Sequence, residues 1–441
     1  MDGWQIDSGR RPSSEPERRG AATYLAEGLV VLVLLTSFYV KSDPAQDNPA
    51  PYDLLMAGTV ALMFLFGLRL PRGLGWPAAL WGLVVIGFVI GGFNAIYVDR
   101  VRPSLMTTVY LVGSFIFLVS WIYADPMRRI TQAMWAYTAA ATLAATAGVA
   151  GYFGLFPGSE IFTQYGRATG TFNDPNVFGP YLVAPILFLA MKLSQAGSWR
   201  ALWMAVPFGL LVLAILLSFS RGAWGNLALA GLVFFGLTLA TSQSAKQAMR
   251  LIGFGALAAL IGLVVIMVAL ADPKVSALFA ERASLTQSYD TDPEHGRFES
   301  QARAFQMVLE KPLGIGPSQW ALINKLDTHN VYLHVLVAGG FLSGIAFVAF
   351  VIVTHVRAWR AIGRREPETG VLIVVFAAVA GHAAEALIID IVTWRHFFLL
   401  LGILWGAVLA IEFRGRARQP IPRAVPRPAM FAPARADGFQ I

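Results

Sequence analysis

The fold class that this sequence predicts is an all-α, polytopic membrane protein with about 12 transmembrane helices. Three observations carry that reading. Of 441 residues, 56% are hydrophobic and only 14% are charged, where a soluble protein carries about 25% charged residues. The mean hydropathy is +0.60. The apolar residues also form many separate continuous runs rather than an apolar–polar alternation, which favours spanning helices over a β-barrel. Cysteine is absent, which removes disulfides and thiolate chemistry. The formal charge of +8 lies largely in loops and the C-terminal tail. There it sets membrane orientation, so no nucleic acid is expected as a partner.

Residues 1–21 form a polar N-terminal segment with Arg10, Arg11, Arg18 and Arg19. The apolar run after it is long and lacks a small-residue cleavage site, unlike a signal peptide. Twelve spans follow, at 22–41, 53–70, 76–93, 104–124, 130–153, 176–193, 201–219, 222–241, 250–271, 329–354, 370–390 and 395–413. Each has about the 17–25 residues needed to cross the hydrocarbon core. The chain therefore divides into the N-terminal segment, helices 1–9 within 22–271, a large loop at 272–328, helices 10–12 within 329–413, and a basic tail at 414–441. A cytoplasmic N-terminus places 22 of the 34 Lys and Arg inside, as the positive-inside rule requires. Both termini are then cytoplasmic, and the 272–328 loop is periplasmic. The Pro- and Arg-rich tail can touch anionic membrane lipids.

On this topology Arg167, Asn173, Asn176, Arg221, Arg297 and His329 all reach the outer face, from four separate parts of the chain. The segment RATGTFNDPNVFG (167–179) contains a turn at Asp174-Pro175, with Asn176 able to cap the following helix. Its bland reading is a loop-to-helix junction. The functional one sets Arg167 and the helix N-terminus against an anion. In SFSRGAW (218–224), Arg221 separates two apolar runs. It is either an arginine snorkelling to the interface or a guanidinium fork for a phosphate oxygen.

From Arg297 to Leu309, the residues Phe298, Ala302, Phe305 and Leu309 give one apolar helical face, and Pro312 with the Gly314–Pro317 turn ends the helix. Such a helix can lie on the outer membrane surface, which also accounts for Arg303. Asp290 and Asp292 form a D-x-D pair, read here as a solvated acidic turn. No His or Cys shows metal-ligand spacing. His329 stands where the polar loop meets the next span, followed by Asn330, His334 and the small pair Gly339-Gly340. An ionisable residue at a membrane boundary is a functional candidate. His334 lies five residues on, about 140° around the helix, and is expected to face elsewhere.

In these residues the sequence resembles the superfamily of O-antigen ligases and O-antigen polymerases, bacterial membrane glycosyltransferases. The matching pieces are RATGTFNDPN, SRGAW, an arginine fifteen residues before Pro312 and GIG, and HNVYLHVLVAGG, in which His329 and Gly340 fit the family's H-x10-G motif. At the family's R-x3-L motif the sequence departs: Arg297 is followed at that offset by Gln301, and Arg303 by Met307. The resemblance implies a helical fold with a periplasmic cap and an inverting transfer without metal or cofactor. It implies a polyprenyl-pyrophosphate-linked glycan as donor and lipid A-core or another glycan as acceptor. His329 would be the general base. Arg221 and Arg297, with Arg167 in a lesser part, would bind the donor pyrophosphate, supported by Asn173, Asn176 and Asn330. Cations nearby favour a neutral imidazole able to accept a proton. A single large outer loop favours the ligase over the polymerase. A transporter or flippase of lipid-linked glycans is the alternative from another class, though the polar residues gather at one face.

Overall fold

The computed structural model describes residues 21–38, 51–282 and 296–417. The N-terminal arginines, Asp290, Asp292 and the tail beyond 417 lie outside those residues. Among the described residues the chain is almost entirely helical: α1 (Ala21–Leu35), α2 (Pro51–Leu65), α3 (Gly75–Gly92), α4 (Val98–Ala124), α5 (Pro126–Tyr152), α6 (Pro175–Tyr181), α7 (Val183–Gln195), α8 (Ser198–Leu217), α9 (Arg221–Ala240), α10 (Ala245–Leu270), α11 (Pro273–Arg282), α12 (Arg297–Glu310), α13 (Trp320–Asn324), α14 (Val331–Ile362), α15 (Thr369–Glu385) and α16 (Arg395–Ala417). One two-residue hairpin pairs Thr163–Gln164 with Arg167–Ala168.

Eight of these helices are long and apolar enough to cross a membrane, against the twelve spans expected. Three further apolar helices, Leu25–Leu35, Tyr52–Leu65 and Thr369–Glu385, are shorter than the roughly 20 residues of a full span. Pro126–Tyr152 is long but rich in Ala and Thr. The expected span 176–193 is split at Leu182 into α6 and α7, with Pro180 in the last turn of α6.

The core that positions everything else is aromatic. Trp81 of α3 is fully buried and meets Phe347 and Phe350 of α14 and Phe398 of α16, with ring centroids 5.8, 5.4 and 5.0 Å away. Phe350 in turn stacks on Trp405, whose Nε1 donates to Thr354 Oγ1 at 3.0 Å. Small residues let the helices close in, as in other helical membrane proteins. A β-carbon on Gly402 or Gly406 of α16 would press on Leu118 or Ile122 of α4. Buried Ser343 of α14 donates to the Val84 carbonyl of α3 at 2.8 Å.

The expected continuous helix after residue 329 is broken. Gly339 (φ −122°, ψ 16°) and Gly340 (φ 65°, ψ −166°) are non-helical, so α14 is two helical pieces joined at a break. The turn after α12 repairs it: Ile315 N–H donates to Val337 O at 2.9 Å, Gly316 N–H to Ala338 O at 3.0 Å, and Phe341 N–H to Pro312 O at 3.0 Å. Asn94 Nδ2 holds the same turn through Gly314 O at 2.9 Å. Within a membrane protein, backbone groups freed by a break have to be paired by neighbouring protein, and Pro312–Gly316 does this.

Gly340 occupies a region of φ/ψ space that is essentially reserved for glycine, and a β-carbon there would also strike the Pro312 carbonyl oxygen. Gly340→Ala is therefore expected to destabilise the protein by at least roughly 1–3 kcal/mol. A drop in the detergent-solubilised melting temperature would register this, and an unchanged transition would mean that the break is not held as described.

Candidate functional site

α12 starts at Arg297, and its first turn is fastened to the residues just before His329. Ser300, fully buried, donates from Oγ to the carbonyls of Leu326 and Asp327 at 3.3 Å and accepts from Trp320 Nε1 at 3.1 Å and Asn324 Nδ2 at 2.8 Å. Gln301, the residue standing where the family motif has Leu, donates from Nε2 to Thr328 O at 3.0 Å. Ala304, Val308, Ile315, Trp320 and Val337 form a small separate core that seats this cap on α14. The predicted apolar stripe is the exposed one: Phe298, Phe305 and Leu309 are more than half exposed, while Ser300, Ala304 and Val308 face inward. Arg297 is half-buried, its Cζ 5.3 Å from the Phe298 ring.

His329 itself is half-buried and has φ +45°, a conformation with a cost of roughly 1–3 kcal/mol for a residue with a β-carbon. The flanking residues hold it. Thr328 is buried, its Oγ1 donating to Asn330 O at 3.2 Å, and Asn330 caps α14 by accepting from Leu333 N–H at 3.1 Å. The next amide, Val331 N–H, donates to Ala386 O at 2.8 Å, and Tyr332 OH donates to Ala383 O at 2.8 Å. The base candidate is thus pinned to the C-terminal end of α15.

The same end of α15 holds the start of α9. Asn226 Nδ2 donates to Glu385 Oε2 at 2.7 Å, and Glu385 Oε1 lies where a β-carbon on Gly222 would be, immediately after Arg221. Gly381 leaves room for Asn226. Ser220 caps α9 through Ala223 N–H at 3.4 Å, and Arg221 is half-buried at the first helical position. Arg167 is buried: its Nε donates to Ser218 O and its Nη2 to Asn176 Oδ1, both at 2.8 Å. Asp174, not Asn176, caps α6, accepting from the Asn176 amide at 2.7 Å. Asn173, half-buried, occupies the turn just before that cap. The candidates therefore gather around two junctions, 218–222 and 326–331, which α15 joins.

One expectation is corrected here. His334 does not face away from the site. Its Nδ1 lies 3.0 Å from Asp390 Oδ2 and 3.7 Å from Asp327 Oδ1. Burial pushes the Asp327 carboxyl up, but the His334 imidazole, the Thr328 amide and His329 outweigh it and hold it at about 2. Asp390, between α15 and α16, is pushed up by burial despite His334 and the Val392 amide. His329 thus lies within electrostatic reach of two carboxyl groups, those of Asp327 and Asp390. Asp327, His334 and Asp390 also present ligand atoms within 4.8 Å of one another and could hold a cation. Reading the sequence for ligand spacing missed them because they come from a loop, a helix and a second loop.

The O-antigen ligase family model matches residues 206–348. The stretch includes Arg221, Arg297, His329 and Gly340, and leaves out Arg167, Asn173, Asn176, Glu385 and Asp390. No curated protein matches the chain. The chain thus combines eight helices long and apolar enough to cross a membrane, among the described residues, with a stretch similar to the O-antigen ligase family.

If the Asp327–His334–Asp390 contacts fasten the cap, their loss should loosen it. His334→Ala and Asp390→Asn are expected to speed limited proteolysis within 320–328 at neutral pH, and unchanged cleavage would show that the contacts hold nothing. The depressed carboxyl of Asp327 stabilises fully above its ordinary value of 3.8, and this contribution is lost as pH falls through about 2.

Proposed function

We propose that the protein is an O-antigen ligase-like glycosyltransferase. It moves a glycan from polyprenyl pyrophosphate to an acceptor hydroxyl, lipid A-core in the first instance, at the periplasmic face of the inner membrane. The observation that supports this reading is that the family-matched stretch contains Arg221, Arg297 and His329. The junctions bearing Arg221 and His329 are fastened to one end of α15, and α12, which begins at Arg297, is tied to the residues before His329.

In this proposal His329 takes the acceptor hydroxyl proton as the acceptor oxygen attacks the anomeric carbon. The bond from that carbon to the pyrophosphate oxygen breaks, its electron pair stays on the leaving phosphate, and the configuration inverts. Arg221 and Arg297 meet the charge that grows there, a preorganised electrostatic contribution of several kcal/mol. Arg167 has Nε and Nη2 engaged by Ser218 and Asn176, so its part is to hold the turn that carries Arg221. Asn330 caps the helix that begins after His329, and Asn173 and Asn176 complete the Arg167 turn.

Deletion in the host tests the class. Loss of long-chain material from lipid A with accumulation of lipid-linked polymer is expected. Accumulation of single lipid-linked repeats would instead mean a polymerase, and failure to deliver lipid-linked glycan to the outer leaflet a flippase. With purified protein, His329→Ala should lower turnover by roughly 10²–10⁴-fold with donor binding nearly unchanged. Arg221→Ala or Arg297→Ala should weaken donor binding roughly 10- to 100-fold as well as turnover. Normal transfer by His329→Ala would remove His329 from the mechanism.

Arginines can supply the positive charge that Mg²⁺ supplies in other phosphate-handling enzymes. Transfer is therefore expected to continue in EDTA. Activity lost to EDTA and restored by Mg²⁺ or Mn²⁺ would overturn this and direct attention to Asp327, His334 and Asp390.

A further inference from the structure

At the end of α14 away from His329, the bundle has an open recess of about 340 Å³, lined by Gly73, Trp76, Arg357, Arg360, Arg364 and Glu412 among others. That volume is within the range of small-molecule sites. The three arginines fall at i, i+3 and i+7 of one helix and so share a face. Like charges so placed repel one another, and the recess holds a single carboxylate against them.

Their engagement is unequal. Arg357 is paired with Glu412, its Nε donating to Oε1 at 2.9 Å, and its Cζ lies 4.8 Å from the Trp405 ring. Arg364 donates one Nη1 hydrogen to Ile411 O at 3.1 Å. Arg360 is exposed and makes no ion pair among the described residues. Two guanidinium groups thus have donors turned to the recess with no carboxylate of their own.

We propose that the recess is a binding site for the phosphate of an anionic phospholipid head group. A guanidinium fork matches phosphate oxygens, and basic pockets between spanning helices are where anionic head groups lodge. Trp76 is 74% exposed on the first turn of α3, and Trp359 is 60% exposed beside Arg360. Indole rings so exposed at helix ends sit at head-group level in membranes, and offer an apolar surface to the acyl chains below. A free phosphate would use the arginines but have no use for the indoles. The site is independent of the glycosyl-transfer reading, since its arginines lie at the opposite end of α14 from His329, beyond the Gly339–Gly340 break.

The test uses full-length protein in nanodiscs containing either phosphatidylcholine alone or phosphatidylcholine with phosphatidylglycerol, with native mass spectrometry and melting temperature as readouts. Phosphatidylglycerol should be retained as a discrete adduct and raise the melting temperature. Arg360→Gln with Arg364→Gln should weaken retention roughly 10- to 30-fold. Arg360→Gln alone, which breaks no ion pair, should give a smaller loss in the same direction. Arg200→Gln, exposed on the first turn of α8 at the same end of the bundle, should leave retention near the unsubstituted level. Equal losses for Arg200→Gln and the recess variants would overturn the proposal in favour of diffuse attraction to a basic face. Equal retention of phosphatidylcholine would overturn it, as would an equal melting shift from inorganic phosphate, which would mean a free-phosphate site. Normal phosphatidylglycerol retention by a folded double variant would remove the arginines from the site.

Discussion

A helix that crosses lipid cannot leave backbone groups unpaired, and at Gly339–Gly340 α14 frees several that Pro312–Gly316 takes up. From this pairing much of the site's geometry follows. The turn that repairs the helix is also the end of the cap, so α12 and the 320–328 segment are drawn onto the first piece of α14. That piece, Val331 to Ala338, is about two turns long, and His329 stands just before it. A glycine eleven residues beyond the histidine is therefore a backbone requirement. Position 340 needs a φ that a side chain resists and a gap that the Pro312 carbonyl already fills. Gly91 and Gly314 approach the same break, each with Ala338 O where its β-carbon would be, so α3 is bound into the arrangement too.

α15 has the complementary task of joining the two halves of the site. Its final turn gives carbonyls to Val331 and Tyr332, and its Glu385 side chain meets Asn226 and Gly222. A carboxyl buried this deeply among helices is unfavourable unless it is well paired, and the hydrogen bond from Asn226 lessens that burden. His382 extends the polar contact, its Nδ1 3.4 Å from Asn226 Nδ2 and its ring 5.3 Å from that of His396. With glycines at 222 and 381, α9 and α15 come close enough for these short side chains to meet. The start of α9, and Arg221 with it, is thereby set relative to His329 although more than a hundred residues separate them.

What was legible in the sequence was local. Apolar runs gave the helices, and the period of residues 297–309 gave α12. Less legible was anything assembled by packing. Asp327, His334 and Asp390 have no characteristic spacing, and a helical-wheel angle alone placed His334 on the wrong side, because it took no account of a loop folding back over the helix. Glu385 and Asn226 did carry a signal, as polar residues inside apolar runs. Arg167 shows what a turn pattern leaves out: its place before a helix N-terminus reads as an anion contact, and packing also engages its Nε and Nη2 with Ser218 and Asn176. The apolar stripe of α12 was read correctly from its period, but periodicity does not say which face meets protein. Ser300, in the inward-facing row, turned out to be the anchor.

The two ends of α14 also set a length. From His329 to Arg357 there are 28 residues, about 42 Å for an unbroken helix at 1.5 Å per residue, with the Gly339–Gly340 break between them. A bilayer is about 40–45 Å thick with its head-group regions included. If Arg357–Arg364, flanked by Trp76 and Trp359, lie at one head-group level, His329 comes to rest at the other. On the proposed reading the donor's pyrophosphate, joined to a lipid tail, has to stay at that same depth. The rigid aromatic contacts of Trp81, Phe347, Phe350, Phe398 and Trp405 lie between, so an anchor at one face would fix the height of the histidine at the other. On that reading the broken helix serves the height as well as the local fold: it fastens the cap to the residues just before His329, at the level where a lipid-borne phosphate and a glycan hydroxyl would both arrive.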